Sequence, residues 1–349
     1  MQSGLFSPSQ LTLLRELEGT SKSGLARDLG VSPATVTGWE NGARTPSSSN
    51  IARLAMRFGV DPDFFSFVSK GSNTDAPFFR SLRSTSVAER TRSSAYADVV
   101  ERVISSLELR VDFPSYRDFG LLGFETPEDA AAVVRAQLSV GSAPISNLMD
   151  VVEEAGIFVV FGPKSSRSVD AFSRVCLPNP IVVLNPSKND YYRQRFDLAH
   201  EVGHILLHTS DQAGSREIEN EANRFAGELL APSEEIADHL PSTTSGSGWR
   251  QLRMLKEQWG LSMQALLYRA RHLGIMSEPA YRNAMKTVSK LGWRRGEPGN
   301  RSILESPGLL PSAISLLSDY GYGTSEMADE AGVPLRYFEQ VVRHTPSTF

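Results

Sequence analysis

The chain has 349 residues, 40% of them hydrophobic, which is enough for two or three domains that each bury a core. Its net charge of −4 supplies no global basic field, so any contact with nucleic acid must come from a local surface. A lone cysteine, Cys176, excludes an internal disulfide and fits a reducing compartment; no basic signal-peptide region and no run of about eighteen apolar residues occurs, so a soluble, cytoplasmic protein without membrane contact is expected.

From Ser9 onward the pattern is helical and frequently interrupted. "SQLTLLRELEG" places Leu11, Leu14 and Leu17 on one face and stops at Gly19. "SKSGLARDLGV" sets Leu25, Ala26 and Leu29 together before turning at Gly30. "SPATVTGWENG" opens with Ser32 as N-cap and Pro33 at the first helical position. "SSSNIARLAMRFGV" is a fourth helix and "DPDFFSF" begins a fifth. Two short helices joined at "DLGVS" form a helix-turn-helix: Ala26 is small where the helices cross, and Val31, Val36 and Trp39 plug a small core. The outer face of the third helix carries Ser32, Ala34, Thr35, Thr37 and Gly38, side chains small enough for a groove floor.

"LARDLGVSPATVTGWENGARTPS" resembles the XRE (lambda-repressor-like) family, and the resemblance spans about residues 9 to 66. It implies double-stranded DNA as partner, with the third helix in the major groove and the preceding helix on phosphate. Carried over, Thr35 and Thr37 are base-edge candidates, with Ser32 on the same face, and Lys22 and Arg44 are phosphate candidates. Trp39 and Glu40 fall at positions that are structural in the family. Lys22 stands where Gln is usual, and Gly38 where a long polar residue is common. Through Lys70 the module has seven Lys or Arg (Arg15, Lys22, Arg27, Arg44, Arg53, Arg57, Lys70) against six acids, so weak, salt-sensitive binding is expected.

"PFFRSLRSTSVAERTRSSAYADVVERVISSLEL" is helical in pattern and rich in arginine; Arg80, Arg83, Arg90 and Arg92 are expected on the solvated face of a connecting helix. After the turn-rich "DFPSYRDFGLLGFETPED", Thr126 and Pro127 start a helix, and "PISNLMDVVEEAG" is another. "GIFVVFG", "AFSRVCL" and "PIVVLN" then read as three strands of a small sheet.

"FDLAHEVGHILLH" follows the third strand. Positions four apart on a helix share a face, so His200 and His204 can both reach one ion at about 2.0 to 2.1 Å. Glu201 is rotated by about 100 degrees from His200 and flanks the ion, where it can take a proton from an attacking water. Two histidines and a carboxylate in an otherwise apolar helix would be costly without a partner, and a metal supplies one. Gly203 is expected where another segment approaches, as a substrate strand would. In "REIENEANRFAGELLAP", Glu219 lies at the edge of the apolar stripe beside Asn223, and Glu221 lies farther round. Glu219 is the expected third ligand and Glu221 the alternative; Asn223 is placed to hold a histidine N–H.

"RFDLAHEVGHILLH" with "ENEANRFAGELLAP" resembles the ImmA/IrrE zinc metallopeptidases, from about Pro144 to Arg271. The resemblance implies zinc on His200, His204 and Glu219, Glu201 as general base, and endoproteolysis of a protein such as an XRE-type repressor or an antitoxin, under stress or DNA damage. His208 falls where the family often has a further histidine; its role stays open between core polar residue and substrate contact. "TSEMADEAGVPLRYFEQVV" repeats the spacing of the first module and is expected to serve packing or dimerisation, a homodimer being among the partners allowed.

The expected fold is mainly α with one α+β domain. A helix-turn-helix domain spans 1–66, an Arg-rich helical linker 67–125, a zincin-like metallopeptidase domain with small sheet and HExxH helix 126–275, and a helical C-terminal region 276–349. A DNA-binding zinc endopeptidase is the leading expectation. Two others stand beside it: a transcription factor whose peptidase-like domain senses a ligand or partner, and a toxin–antitoxin component acting by binding. The intact Glu201 favours the first, because sensing alone needs no general base.

Overall fold

The structure, a computed structural model, describes residues 6–67, 86–120, 124–163, 170–175, 178–185, 187, 189–208 and 215–343. Lys70, Arg80, Arg83 and Cys176 lie outside the described residues. The described chain falls into two compact units, one built from the residues before 78 together with 84–113 and 309–343, the other from 114–308.

In the first unit, α1 (Pro8–Leu17), α2 (Lys22–Asp28), α3 (Pro33–Glu40) and α4 (Ser48–Phe58) are followed by a five-residue 3-10 turn, Pro62–Ser66, where the sequence suggested a fifth helix. Ser21, Ser32 and Ser47 cap the starts of α2, α3 and α4, each side chain accepting from the backbone N–H three residues on, that of Gly24, Thr35 or Asn50. Leu11, Leu14, Leu25, Val36 and Leu54 are fully buried in one core with Trp39 and Phe58.

The described part of the Arg-rich segment is more than a solvated connector. α5 (Val87–Leu107) buries Tyr96, Ala97, Val99, Val100 and Val103 completely, and packs against α1 and the last two helices of the chain. A 21-residue helix that buries a continuous apolar face is a core element whatever its charges. Arg92 is only half-buried, and its Nη2 donates to the Glu18 carbonyl at 2.9 Å, so its charge serves the end of α1.

The C-terminal helices α15 (Thr324–Ala331) and α16 (Leu335–Val341) reproduce the α2–α3 turn. Gly30 and Gly332 have φ of 58° and 62°, and Val31 and Val333 donate to the carbonyls of Ala26 and Ala328 at 2.9 and 3.1 Å. The second turn is buried. A Cβ on Gly332 would lie 2.3 Å from the Phe67 ring, and the Gly332 carbonyl accepts from Gln10 at 3.1 Å and Arg102 at 3.3 Å. Residues 10, 102 and 332 thus meet in one polar knot, and the helix-turn-helix shape at the C-terminus serves internal packing.

In the second unit, α6 (Pro127–Gln137) and α7 (Leu148–Glu154) precede β1 (Phe158–Phe161), β2 (Ala171–Arg174) and β3 (Ile181–Leu184). The sheet order is β1-β3-β2, with β1 parallel and β2 antiparallel to β3. Every strand residue is buried, as expected of a sheet covered on both faces. α8 (Tyr191–Leu207) packs on β2 and β3, and α9 (Arg216–Leu230) packs on α8 and α6. A short α10 (Ser233–Ile236), α11 (Gly248–Trp259), α12 (Met263–His272) and α13 (Glu278–Lys290) follow, before α14 (Leu309–Asp319) returns to the first unit.

This grouping differs from the fourfold sequence division, because the region after residue 276 is shared. Its first part is fastened to the second unit by Glu305. That carboxylate accepts from the backbone N–H groups of Leu148 and Met149 at 3.0 and 3.3 Å and pairs with the buried guanidinium of Arg195. Arg195 also donates to the Ile145 carbonyl at 2.9 Å.

Candidate metal centre and DNA-facing helix

α8 is held at both ends of the interesting turn. Asp190 caps its start by accepting from Tyr192 and Arg193, and Leu198, Ala199 and Val202 bury its apolar faces. Gly203 meets α9: a Cβ there would lie 3.0 Å from the Phe225 ring and 3.4 Å from the Ala222 Cα. The close approach expected of a substrate strand is therefore made by a neighbouring helix, and it is what lets Glu219 on α9 reach the histidines.

His200, His204 and Glu219 converge. The two Nε2 atoms are 3.0 Å apart, and the Glu219 oxygens lie 3.4 Å from His200 Nε2 and 3.6 Å from His204 Nε2. Four ligands placed tetrahedrally around zinc at its usual bond lengths sit about 3.3 Å from one another. The three donors, two imidazole nitrogens and a carboxylate, thus suit a zinc ion in kind and spacing. His204 is wholly buried, whereas the side chains of His200 and Glu219 are 14% and 37% exposed, so the centre is open on one side. His200 Nδ1 lies 3.1 Å from Asn223 Oδ1, the contact anticipated for Asn223. Burial alone would lower the His200 pKa, but Glu219, Glu201 and Asp197 outweigh it and the net shift is upward.

Glu201, next to His200 in the chain, reaches the sheet. Its carboxylate accepts a hydrogen bond from Ser173 Oγ at 2.7 Å, and both side chains are buried. Burial pushes the Glu201 carboxyl up to about 7, against the pull of His200 and Ser173. A carboxyl poised there can take and return a proton near neutral pH. Ser173 was not anticipated. The only signal was a hydroxyl within the apolar "AFSR" strand, and spacing alone does not link β2 to α8. Glu221, the alternative ligand, turns elsewhere: its Oε2 lies 2.9 Å from His208 Nε2.

In the first unit, Ser32, Thr35 and Thr37 sit together on the outer face of α3, Ser32 and Thr37 exposed and Thr35 half-buried. Ser32 Oγ accepts from the Thr35 N–H at 3.1 Å and lies 2.8 Å from Thr35 Oγ1, so these hydroxyls are already ordered. Arg44 is exposed and lies across Gly38, where a Cβ would come within 3.1 Å of its Cδ. The missing side chain at position 38 leaves room for the Arg44 stem. Lys22 is drawn inward: its Nζ lies 3.1 Å from the buried carboxylate of Glu40, which Arg15 also binds. Trp39, 2% exposed, belongs to the core.

Comparison with protein-family models gives two matches. Residues 11–65 match the helix-turn-helix domain, and residues 152–271 match the IrrE N-terminal-like domain of the M78 peptidases. No curated protein matches the chain. No helix among the described residues is long and apolar enough to cross a membrane.

Proposed function

We propose that this chain, which joins an XRE-type helix-turn-helix domain to an IrrE-like metallopeptidase domain, is a DNA-binding zinc endopeptidase. It acts in the cytoplasm and regulates transcription by cutting a repressor or antitoxin protein under stress or DNA damage. The observation that carries this reading is the convergence of His200, His204 and Glu219, with the buried carboxyl of Glu201 on the same helix as the two histidines. A domain kept only for sensing gains nothing from a carboxyl held at such cost in burial.

His200, His204 and Glu219 would hold the zinc, leaving the exposed side for substrate. A zinc ion held there would supply Lewis acidity. Glu201 accepts the proton released as water adds and delivers it to the departing amine. Ser173 holds the carboxylate in the orientation that this transfer needs.

Elemental analysis should find about one zinc per wild-type chain and nearly none in His204→Ala. Full occupancy in the variant rules out this ligand set.

For the DNA-facing helix, Thr35 and Thr37 read base edges and Arg44 binds phosphate. The Thr35→Ala, Arg44→Ala double variant should shift promoter DNA poorly at moderate salt. A base contact is worth about 1 to 3 kcal/mol, and loss of the phosphate contact weakens all sequences alike. A gel shift indistinguishable from wild type would give the module another role. Lys22, tied to Glu40, should matter less than Arg44.

A further inference from the structure

His204 is connected on the side opposite the proposed metal. Its Nε2 faces His200 and Glu219, while its Nδ1 lies 3.1 Å from His208 Nδ1. His208 occupies the C-cap position of α8 and is buried, and its other nitrogen lies 2.9 Å from Glu221 Oε2. Glu221 stands on α9, its side chain 36% exposed. One direction of hydrogen bonding fits this chain when His204 Nε2 offers its lone pair to a cation. His204 Nδ1 then carries the hydrogen and donates to His208 Nδ1. His208 must in turn carry its hydrogen on Nε2, and donates to the Glu221 carboxylate. Each link holds one hydrogen, and each acceptor is a lone pair.

We infer that His208 and Glu221 are positioning residues for the metal ligand His204, fixing its tautomer and ring orientation and raising its basicity through a His204–His208–Glu221 relay. The inference rests on the zinc site proposed above and adds the two residues behind it. His200 has its own partner in Asn223, a neutral amide. The two histidines are therefore held differently, one against an amide and the other against a relay that ends in a carboxylate. Partners of this kind typically change metal affinity by about 10- to 100-fold. The relay also accounts for Glu221: it is engaged with His208 and is not a spare ligand.

The test measures the zinc dissociation constant of the full chain by chelator competition, with the visible spectrum of the cobalt-substituted protein as a second readout. His208→Leu should weaken zinc binding by about 10- to 100-fold and alter the cobalt bands. His208→Asn keeps an acceptor near the Nδ1 position but loses the link to Glu221, so it should bind zinc better than His208→Leu and about as well as Glu221→Leu. Glu221→Leu should weaken zinc in the wild-type background and add nothing in the His208→Leu background. The inference falls if His208→Leu binds zinc like wild type, if His208→Asn is as poor as His208→Leu, or if the Glu221→Leu effect multiplies with that of His208→Leu. Should His208→Leu fail to fold by its melting curve, His208→Asn and Glu221→Leu decide the matter: both weakened to a similar degree support the relay, and either one binding zinc like wild type overturns it. Wild-type protein that takes up no zinc overturns the metal site itself. That result is distinct from zinc uptake indifferent to position 208.

Discussion

Replacing Glu201 by Gln is expected to leave zinc uptake and DNA binding unchanged and to lower proteolysis by about 10²- to 10⁴-fold, the usual worth of a general base. Gln keeps the shape of Glu and an oxygen that can still accept from Ser173. The trio of His200, His204 and Glu219 is untouched. What disappears is the group that takes the proton as water adds to the peptide carbonyl. α3 and α8 belong to different compact units, so the DNA-facing surface keeps its own packing. The experiment pairs cleavage of a repressor encoded nearby with a reporter for its promoter. Lost cleavage with a promoter that stays repressed is the expected pair. Undiminished cleavage means Glu201 is not the base; lost cleavage with normal promoter control makes the domain a sensor.

Glu305→Ala is expected to destabilise the second unit by about 3–5 kcal/mol, the cost of breaking a buried ion pair from one side. The Arg195 side chain is fully buried and would face a cavity where its counter-ion had been. The N–H of Leu148, at the start of α7, would lose this acceptor in the same step, while that of Met149 would keep Asn147 Oδ1 at 3.1 Å. Glu305→Gln keeps an acceptor and should cost less. Of the four tryptophans, Trp249, Trp259 and Trp293 lie in this unit and Trp39 in the other, so intrinsic fluorescence during denaturant unfolding reports mainly the affected transition. A loss below about 1 kcal/mol, the level of an exposed pair, would mean that Arg195 finds other partners.

The local parts of this fold could be read from the sequence. Ser32 marked a helix start, Gly30 marked the turn, and the spacing of Leu11, Leu14 and Leu17 marked a buried face. The same logic put His200 and His204 on one face of α8 and Glu219 at the edge of the α9 stripe. Long-range pairing was less accessible. In α5 the arginines drew the reading toward a solvated connector, although Tyr96, Val99, Val100 and Val103 already formed an apolar stripe; what packs on α5 comes from α1, far earlier, and from α15 and α16, more than two hundred residues later. Ser173 reaches Glu201 only because β2 lies against α8. Glu221 was weighed as a ligand because a helical wheel gives a direction and not a partner, and its partner is His208.

The split construction of the first unit sets the order in which it can be finished during synthesis. Domains ordinarily fold as they leave the ribosome, the earliest first. Here α1 to α5 emerge early, yet the carbonyl of Gly332 that receives Gln10 and Arg102 is made only after the whole second unit. At about 5–20 residues per second the wait is roughly ten to fifty seconds. Over that interval the face of α5 reserved for α15 and α16 is a nascent-chain liability, a surface for chaperones to shield. A nascent or broken chain that ends before this segment carries α3 without the seal that closes its unit, so completion of the first unit is itself a check that the second has been made.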